Sequence, residues 1–221
     1  GRVFFHPLST LPPFGCGHGQ PMASSVALRA VNLPSFHDMT QSQIERVAST
    51  VGATLVAEPR HFVCWGASGH AKVLVDLLKG TPDRCLAFID IYRDSKEFLS
   101  CPVFADLAAF ETWQANLPKV ATWHAMLAIG RQGGHRTAAM QELLTIGIHA
   151  PVMTSPMACV SKAAQLGDGC QVLPMAVIAA GAVLGRACIV NHGSVVDHEC
   201  RLGDGVHVAP RATLCGEVQV G

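Results

Sequence analysis

Aliphatic residues recur at every sixth position through the last third of the chain. From Val160 to Val220 there are eleven such positions, and each holds Val, Leu or Ile. A strict period of six indicates a repeat in which one short strand and one turn take six residues, so that three such units close a triangular coil. The aliphatic side chains fill the inside of the coil, and successive coils pair as parallel strands. A stack of antiparallel hairpins would instead alternate with a period of two.

Small residues occupy a second phase of the same period, four places after the aliphatic positions. They fit near a corner of the coil, where there is little room for a side chain. The series is Ala164, Cys170, Ala176, Ala182, Cys188, Ser194, Cys200 and Ala212. Residues 151–221 are therefore predicted to form a left-handed parallel β-helix.

An alternation of apolar runs and amphipathic segments precedes the repeat, between residues 59 and 150. Strands are predicted at His61–Trp65, Arg84–Ile91 and Ala125–Ile129, and helices after Gly69, over Ala105–Leu117 and over Arg136–Leu144. This order is typical of a parallel, Rossmann-like α/β domain, in which ligands bind beyond the carboxyl ends of the strands. Those ends are Gly66–His70, Asp90 and Gly130.

The turn Gly66-Ala-Ser-Gly69 directly follows the first predicted strand. A helix that begins after such a turn presents backbone N–H groups to a phosphate or nucleotide. A tight strand-to-helix turn also needs glycine for local reasons alone. The motif by itself leaves both interpretations open.

The triplet Asp197-His198-Glu199 stands inside the repeat, between the inward positions Val196 and Cys200. Its side chains are expected to point away from the coil interior. A histidine between two carboxylates suits a general base that removes a proton from an attacking amine or hydroxyl. A solvated surface triplet remains the alternative. A zinc site formed by His198, His207 and Cys200 is disfavoured because Cys200 takes an inward position.

Composition excludes several classes of function. The 221 residues contain sixteen basic and sixteen acidic side chains, so no basic excess indicates nucleic acid or an anionic membrane as a partner. No apolar run is long enough for a transmembrane helix. The nine cysteines form no CxxC pair and no compact disulfide framework, which favours buried thiols in a reducing cytoplasm.

Residues 1–58 follow neither pattern. Proline and glycine interrupt the segment between Pro7 and Gly19, and only Gln41–Thr50 has a weak helical pattern. We expect a poorly ordered extension here. Because the sequence begins with Gly1 and ends inside a repeat at Gly221, we also expect it to be a fragment.

Several stretches together resemble one enzyme family. They are Gly66-Ala-Ser-Gly-His-Ala-Lys72, Phe88-Ile-Asp90, Ala128-Ile-Gly130, Asn191-His-Gly-Ser-Val-Val-Asp-His-Glu-Cys200 and Leu202-Gly-Asp-Gly-Val-His207. Residues 61–221 thereby resemble the sugar acetyltransferases of the sialic acid O-acetyltransferase group. The group includes bacterial UDP-4-amino-sugar and perosamine N-acetyltransferases.

The resemblance implies a nucleotide-sugar acceptor, acetyl-CoA as co-substrate, no metal, and a homotrimer with acetyl-CoA between neighbouring β-helices. By this resemblance His198 is similar to the catalytic base, Glu199 to the neighbour that increases its basicity, and His207 to a contact of the acetyl group. Contacts to the nucleotide sugar are implied for Ser68, Gly69, His70, Asp90 and Gly130.

The chain departs from the family pattern at two places in the acceptor region. Ile91 stands where many relatives have a second acidic residue, and the segment 130–134 is longer and lacks asparagine. The base and the sugar therefore stay open. The alternatives are a free-sugar or sialic acid O-acetyltransferase and a non-catalytic β-helix scaffold.

Overall fold

The computed structural model describes residues 2–3, 31–32, 40–56, 59–117, 122–131 and 134–221. The chain divides into two compact units, Gly1–Glu58 and Pro59–Gly221. None of the helices within the described ranges is long and apolar enough to cross a membrane.

Among its described residues, the first unit contains a two-stranded antiparallel pair and one helix. Strand β1 (Arg2–Val3) pairs with β2 (Val31–Asn32), and α1 spans Gln41–Val56. The helix predicted at Gln41–Thr50 is thus present and continues for six further residues. Thr40 and Gln43 form a reciprocal capping box, in which each backbone N–H donates to the other side chain, at 2.8 and 3.4 Å. The prediction of poor order falls mostly on residues outside the described ranges.

The second unit begins with an α/β region around a five-stranded sheet. Its elements are β3 (His61–Trp65), α2 (Gly69–Asp76), β4 (Arg84–Ile89), β5 (Glu97–Phe98), β6 (Cys101–Phe104), α3 (Leu107–Gln114), β7 (Trp123–Leu127) and α4 (His135–Thr145). The strand order is β5-β6-β4-β3-β7, and all pairs are parallel except β5 with β6. The order reverses beside β3, so the turn after β3 lies at a switch point, where open α/β sheets bind ligands.

Strands β5 and β6 are absent from the sequence prediction. They form a hairpin whose turn, Leu99-Ser100, has both residues at positive φ (49° and 60°). Tight turns of this kind normally contain Asn or Gly, so the sequence carries no hairpin signal here. Pro102 further weakens the strand pattern of β6.

Apolar side chains alternate between the two faces of the sheet and form two cores. Phe62, Cys64, Phe88 and Met126 pack with α2, while Val63, Ile89 and Leu127 pack with α3 and α4. Residues of the repeat region join both cores, because Leu173 and Ile189 belong to the first and Ala187 to the second. One face of the repeat region is therefore buried against the α/β region.

The repeat region forms three parallel four-stranded sheets of two-residue strands. Each strand except the last three pairs with the strand eighteen residues further on, as in Val172 with Val190. The strands are β8 (Met153–Thr154), β9 (Cys159–Val160), β10 (Gln165–Leu166), β11 (Gln171–Val172), β12 (Val177–Ile178), β13 (Val183–Leu184), β14 (Ile189–Val190), β15 (Val195–Val196), β16 (Arg201–Leu202), β17 (His207–Val208), β18 (Thr213–Leu214) and β19 (Gln219–Val220). This stacking fits the predicted left-handed β-helix.

The interior of the β-helix holds the predicted aliphatic residues. Seven of the eleven are buried, and the exceptions, Val160, Leu166, Leu214 and Val220, are partly buried members of the same core. They lie in the first and last coils, which have a stacked neighbour on one side only. The small corner residues from Cys170 to Cys200 are fully buried.

Left-handed backbone conformation also recurs every six residues. From Gly169 to Glu217 nine corner residues have φ between +54° and +74°. Four are glycines, and the other five are Met175, Ala187, Glu199, Arg211 and Glu217. A non-glycine residue in this conformation costs about 1–2 kcal/mol, so these five positions are held by the stacking of the coils.

Candidate active site

The turn after β3 is organised by Asp90. One carboxylate oxygen of Asp90 accepts the N–H of Ala67 at 2.8 Å, and the other accepts the N–H of Tyr92 at 3.0 Å. Gly66 has φ +102°, and a Cβ there would lie 2.7 Å from the carbonyl oxygen of Ala128. Glycine is therefore required at this position by both its φ and the closeness of β7.

A cavity of about 510 Å³ opens at the carboxyl ends of β3, β4 and β7. Three of the predicted acceptor residues line it, namely Ser68, Asp90 and Gly130. The rest of the wall is formed by Trp65, Gly66, Ile89, Ile91, Tyr92, Ala128, Ile129, Arg131, His135, Ala138, Ala139 and Glu142. Sequence reasoning missed the charged lining at Arg131 and Glu142, although Arg131 directly follows a predicted strand end.

Gly69 and His70 lie outside the cavity wall. Gly69 is the first residue of α2, and a Cβ there would meet no atom within 4 Å. His70 points at the β-helix, where its Nε2 donates to Oε1 of Gln171 at 2.7 Å. The Gln171 amide is oriented by its own bond to the carbonyl oxygen of Leu127, at 2.7 Å. Burial lowers the pKa of His70, although the bond to Gln171 acts against this.

His207 lies where the β-helix meets the end of β7. Its Nδ1 donates to the carbonyl oxygen of Gly130 at 3.2 Å, and its Nε2 accepts from the Asn191 amide at 2.9 Å. Asn191 in turn accepts the N–H and Nδ1–H of His192, both at 2.8 Å. These bonds define the tautomer of His207. Burial, opposed by the bond to Gly130, lowers the pKa of His207, so the ring is neutral near pH 7.

Arg136 also connects the α/β region with the β-helix. No sequence pattern indicated this role. Its side chain is buried (1% exposed) and donates to the carbonyl oxygens of Ile129, Arg131, Ala187 and Gly205. The first two belong to the rim of the cavity and the last two to corners of the β-helix. Burial lowers the pKa of this guanidinium.

His198 and Glu199 occupy a different edge of the β-helix. Both side chains are exposed, at 56% and 66%, and Nδ1 of His198 lies 3.8 Å from Oε2 of Glu199. Val196 and Cys200 on either side are fully buried, as the repeat predicted. None of the residues that line the large cavity belongs to this edge.

The zinc set weighed from the sequence is not assembled. The Cys200 thiol is buried and donates to the carbonyl oxygen of Cys215 at 3.1 Å. Within the described ranges, one group of three potential ligands occurs, formed by His198, Glu199 and Glu217. All three are exposed, and such clusters are common on surfaces without a metal.

Comparison with known proteins identifies the family. No protein-family model matches the chain. Among solved structures, PerB from Caulobacter crescentus in complex with CoA and GDP-perosamine is 30% identical, with a TM-score of 0.63 over 72% of this chain and 73% of that chain. The acetyltransferase domain of PglB from Neisseria gonorrhoeae is also 30% identical, with a TM-score of 0.59 over 70% and 73%.

A third structure, WeeI from Acinetobacter baumannii AYE, shares 20% identity at a TM-score of 0.61 over 72% and 74%, and supports the fold alone. The two more similar proteins each match at least 70% of this chain. At this identity and coverage, the chain belongs to the hexapeptide-repeat sugar acetyltransferases.

Proposed function

We propose that this enzyme transfers the acetyl group of acetyl-CoA to an amino group of a nucleotide-activated sugar. The observation that carries the proposal is its 30% identity to PerB, whose structure contains CoA and GDP-perosamine. PglB, with the same identity, has been solved with acetyl-CoA. We propose a Rossmann-like role for the α/β region, supported by its strand order and by the cavity at the switch point.

The cavity supplies the acceptor site in this proposal. Asp90 holds the turn in shape through two backbone N–H groups, while Ser68 and Gly130 face the nucleotide sugar from neighbouring strand ends. His70 and Gly69 lie beside the wall and support it. The neutral His207 ring contacts the acetyl end of acetyl-CoA.

The reaction needs one proton acceptor. The sugar amine attacks the thioester carbonyl carbon, a C–N bond forms, and His198 takes the amine proton. The C–S bond then breaks, and the imidazolium returns the proton to the CoA sulfur. Glu199, 3.8 Å from the ring, stabilises the imidazolium in between. The products are the N-acetylated sugar and free CoA.

We further propose a homotrimer in the cytoplasm. His198 lies on an exposed edge, whereas the acceptor cavity is lined by residues of the α/β region. A neighbouring subunit that brings its own edge toward this cavity would unite the base with the acceptor. A reducing compartment suits the buried thiols of Cys170, Cys188 and Cys200, each of which donates to a carbonyl oxygen.

The test is an acetylation assay on purified protein. Acetyl-CoA is mixed in turn with UDP- and GDP-linked 4-amino sugars, the matching free sugars and sialic acid, and free thiol release is followed. We expect release with at least one nucleotide amino sugar and none with the free sugars. Turnover with sialic acid or a free sugar alone would support O-acetylation or free-sugar transfer and overturn the proposal.

A further inference from the structure

The edge that carries His198 contains a second carboxylate. Glu217 follows Glu199 by eighteen residues and lies on the next coil of the same edge, as the pairing of Val196 with Leu214 shows. Its backbone N–H donates to the carbonyl oxygen of His198 at 2.9 Å. A ring nitrogen of His198 and one carboxylate oxygen each of Glu199 and Glu217 lie within 4.8 Å of one another.

Both glutamates adopt a backbone conformation that favours glycine. Glu199 has φ +57° and Glu217 has φ +64°, whereas Gly181 occupies the equivalent corner of the preceding coil. A glutamate at such a corner costs about 1–2 kcal/mol relative to a relaxed conformation. The stacking of the coils maintains this conformation here, as it does at the other non-glycine corners, and it fixes where both side chains leave the coil.

The glycine at position 216 leaves room for the His198 ring. A Cβ at position 216 would overlap Nε2 and Cε1 of His198 and lie 3.0 Å from Cδ2. Gly216 is not among the residues with positive φ, so its backbone conformation is open to alanine. The exposed His198 ring lies against the Gly216 backbone, so a side chain at position 216 would displace the ring from its place.

We propose that Glu217 and Gly216 are positioning residues for His198, an inference that rests on the proposed function. Gly216 provides the surface on which the imidazole lies, and Glu217 acts with Glu199 to stabilise the imidazolium formed when His198 takes the amine proton. Neither carboxylate exchanges a proton in this step. The third nearby carboxylate, Asp197, is engaged elsewhere, because its Oδ1 accepts the backbone N–H of His198 at 2.7 Å.

The first test is Glu217→Gln, which keeps the shape of the side chain and removes its charge. We expect kcat to fall about threefold to tenfold while KM for both substrates stays unchanged, since a bound ground state needs no imidazolium. Without this charge the neutral imidazole is favoured, so the acid limb of the kcat profile moves to lower pH by roughly half a unit.

Arg211→Gln is the matched control for this variant. Arg211 is exposed, has φ +60° and stands at a left-handed corner of a different edge. The control should keep the kcat and the pH profile of the unaltered enzyme. An unchanged pH profile in Glu217→Gln, or the same shift in Arg211→Gln, would overturn the role of Glu217.

The second test is Gly216→Ala. The added methyl group must displace the His198 ring, so we expect a tenfold or greater loss of kcat with the thermal midpoint nearly unchanged. Gly203→Ala is the matched control, because a Cβ there would meet its nearest neighbour at 3.4 Å, an ordinary contact. Full activity in Gly216→Ala would show that the ring does not depend on this glycine.

The variant His198→Ala distinguishes failure of the positioning inference from failure of the proposed mechanism. If His198→Ala is inactive while Glu217→Gln and Gly216→Ala behave like the unaltered enzyme, the positioning inference is wrong and the proposed function stands. If His198→Ala itself remains fully active, the mechanism proposed for the enzyme fails first.

Discussion

Nε of Arg136 donates to the carbonyl oxygen of Ala187 at 2.8 Å, a bond between a helix of the α/β region and a corner of the β-helix. The same guanidinium holds the carbonyl oxygens of Ile129 and Arg131 at the rim of the cavity beside β3, β4 and β7. This planar, buried cation therefore joins the rim to the coils, together with the bond from His207 to Gly130.

Arg136→Lys should destabilise the enzyme. A lysine ammonium keeps the charge but lacks the planar fork that reaches several carbonyl groups at once. Because buried carbonyl oxygens would lose their donors, we expect the free energy of unfolding to fall by about 2–3 kcal/mol. Urea denaturation followed by circular dichroism measures this loss. Arg131→Lys, at an exposed side chain, is the control, and equal stability of both variants would contradict the prediction.

The order of effects among three site variants tests the assignment of the base. We expect His198→Ala to lower kcat by about a hundredfold or more, the usual scale for removal of a general base. Glu199→Gln should cost less, because the base remains. His207→Ala should act mainly on KM for acetyl-CoA, which steady-state kinetics with each substrate varied in turn will show. Near-normal turnover of His198→Ala from pH 6 to 9 would exclude His198 as the base.

Cys215 offers a direct probe of the proposed acetyl-CoA site. It precedes Gly216 on the edge of His198, and both Cys215 and Cys159 are exposed thiols. Acetyl-CoA bound at this edge should slow alkylation of Cys215 by N-ethylmaleimide by about fivefold or more, because a bound ligand of this size buries most of its surface. Peptide mass spectrometry measures both thiols, with Cys159 as the internal control. Equal rates with and without acetyl-CoA at Cys215 would place the ligand elsewhere.

Stability should fall as the pH drops from 7.5 to 5.5. Burial lowers the pKa of His70 and of His207 in the folded enzyme, whereas an unfolded histidine titrates near pH 6.5. In this window the unfolded chain binds more protons, so acid favours unfolding. Carboxyl groups with a lowered pKa, such as Asp204 beside Arg186, contribute only below about pH 4.

Urea midpoints at the two pH values check this pH dependence. We expect a lower midpoint at pH 5.5, and a smaller difference between the two values for His70→Gln, which removes one of the titrating rings. A midpoint that is the same at both pH values would contradict the prediction.

The β-helix could be predicted from the sequence because its core requires an aliphatic residue at every sixth position. Where another residue type stands at such a position, the pattern gives no signal. Strand β8 lies within the predicted range 151–221 but outside the aliphatic series, because Thr154 stands in the aliphatic phase, six residues before Val160. Hairpin β5–β6 was missed because Leu99-Ser100 adopts a glycine-like turn without glycine.

The sequence pointed to only part of the candidate site, because residues that meet through stacking are not neighbours in the sequence. His198 and Glu199 stand out as a local triplet, whereas their contacts to Gly216 and Glu217 arise only from stacking. Adding eighteen to each residue number would have found both. No such rule finds Arg136, since two of its four carbonyl acceptors, on Ala187 and Gly205, are distant in sequence and carbonyl groups leave no trace in side-chain patterns.

The left-handed corners of the β-helix fall into three columns with a spacing of eighteen residues. One column, Gly169, Ala187 and Gly205, has small residues only, and Ala187 is buried in the core shared with the α/β region. Another, Gly181, Glu199 and Glu217, carries carboxylates. The three columns run along different edges of the β-helix, so a substitution in one column meets different neighbours from a substitution in another. Adaptation of such an enzyme to new chemistry would therefore proceed along a column, in steps of eighteen residues, while adjacent positions in the sequence remain under unrelated constraints.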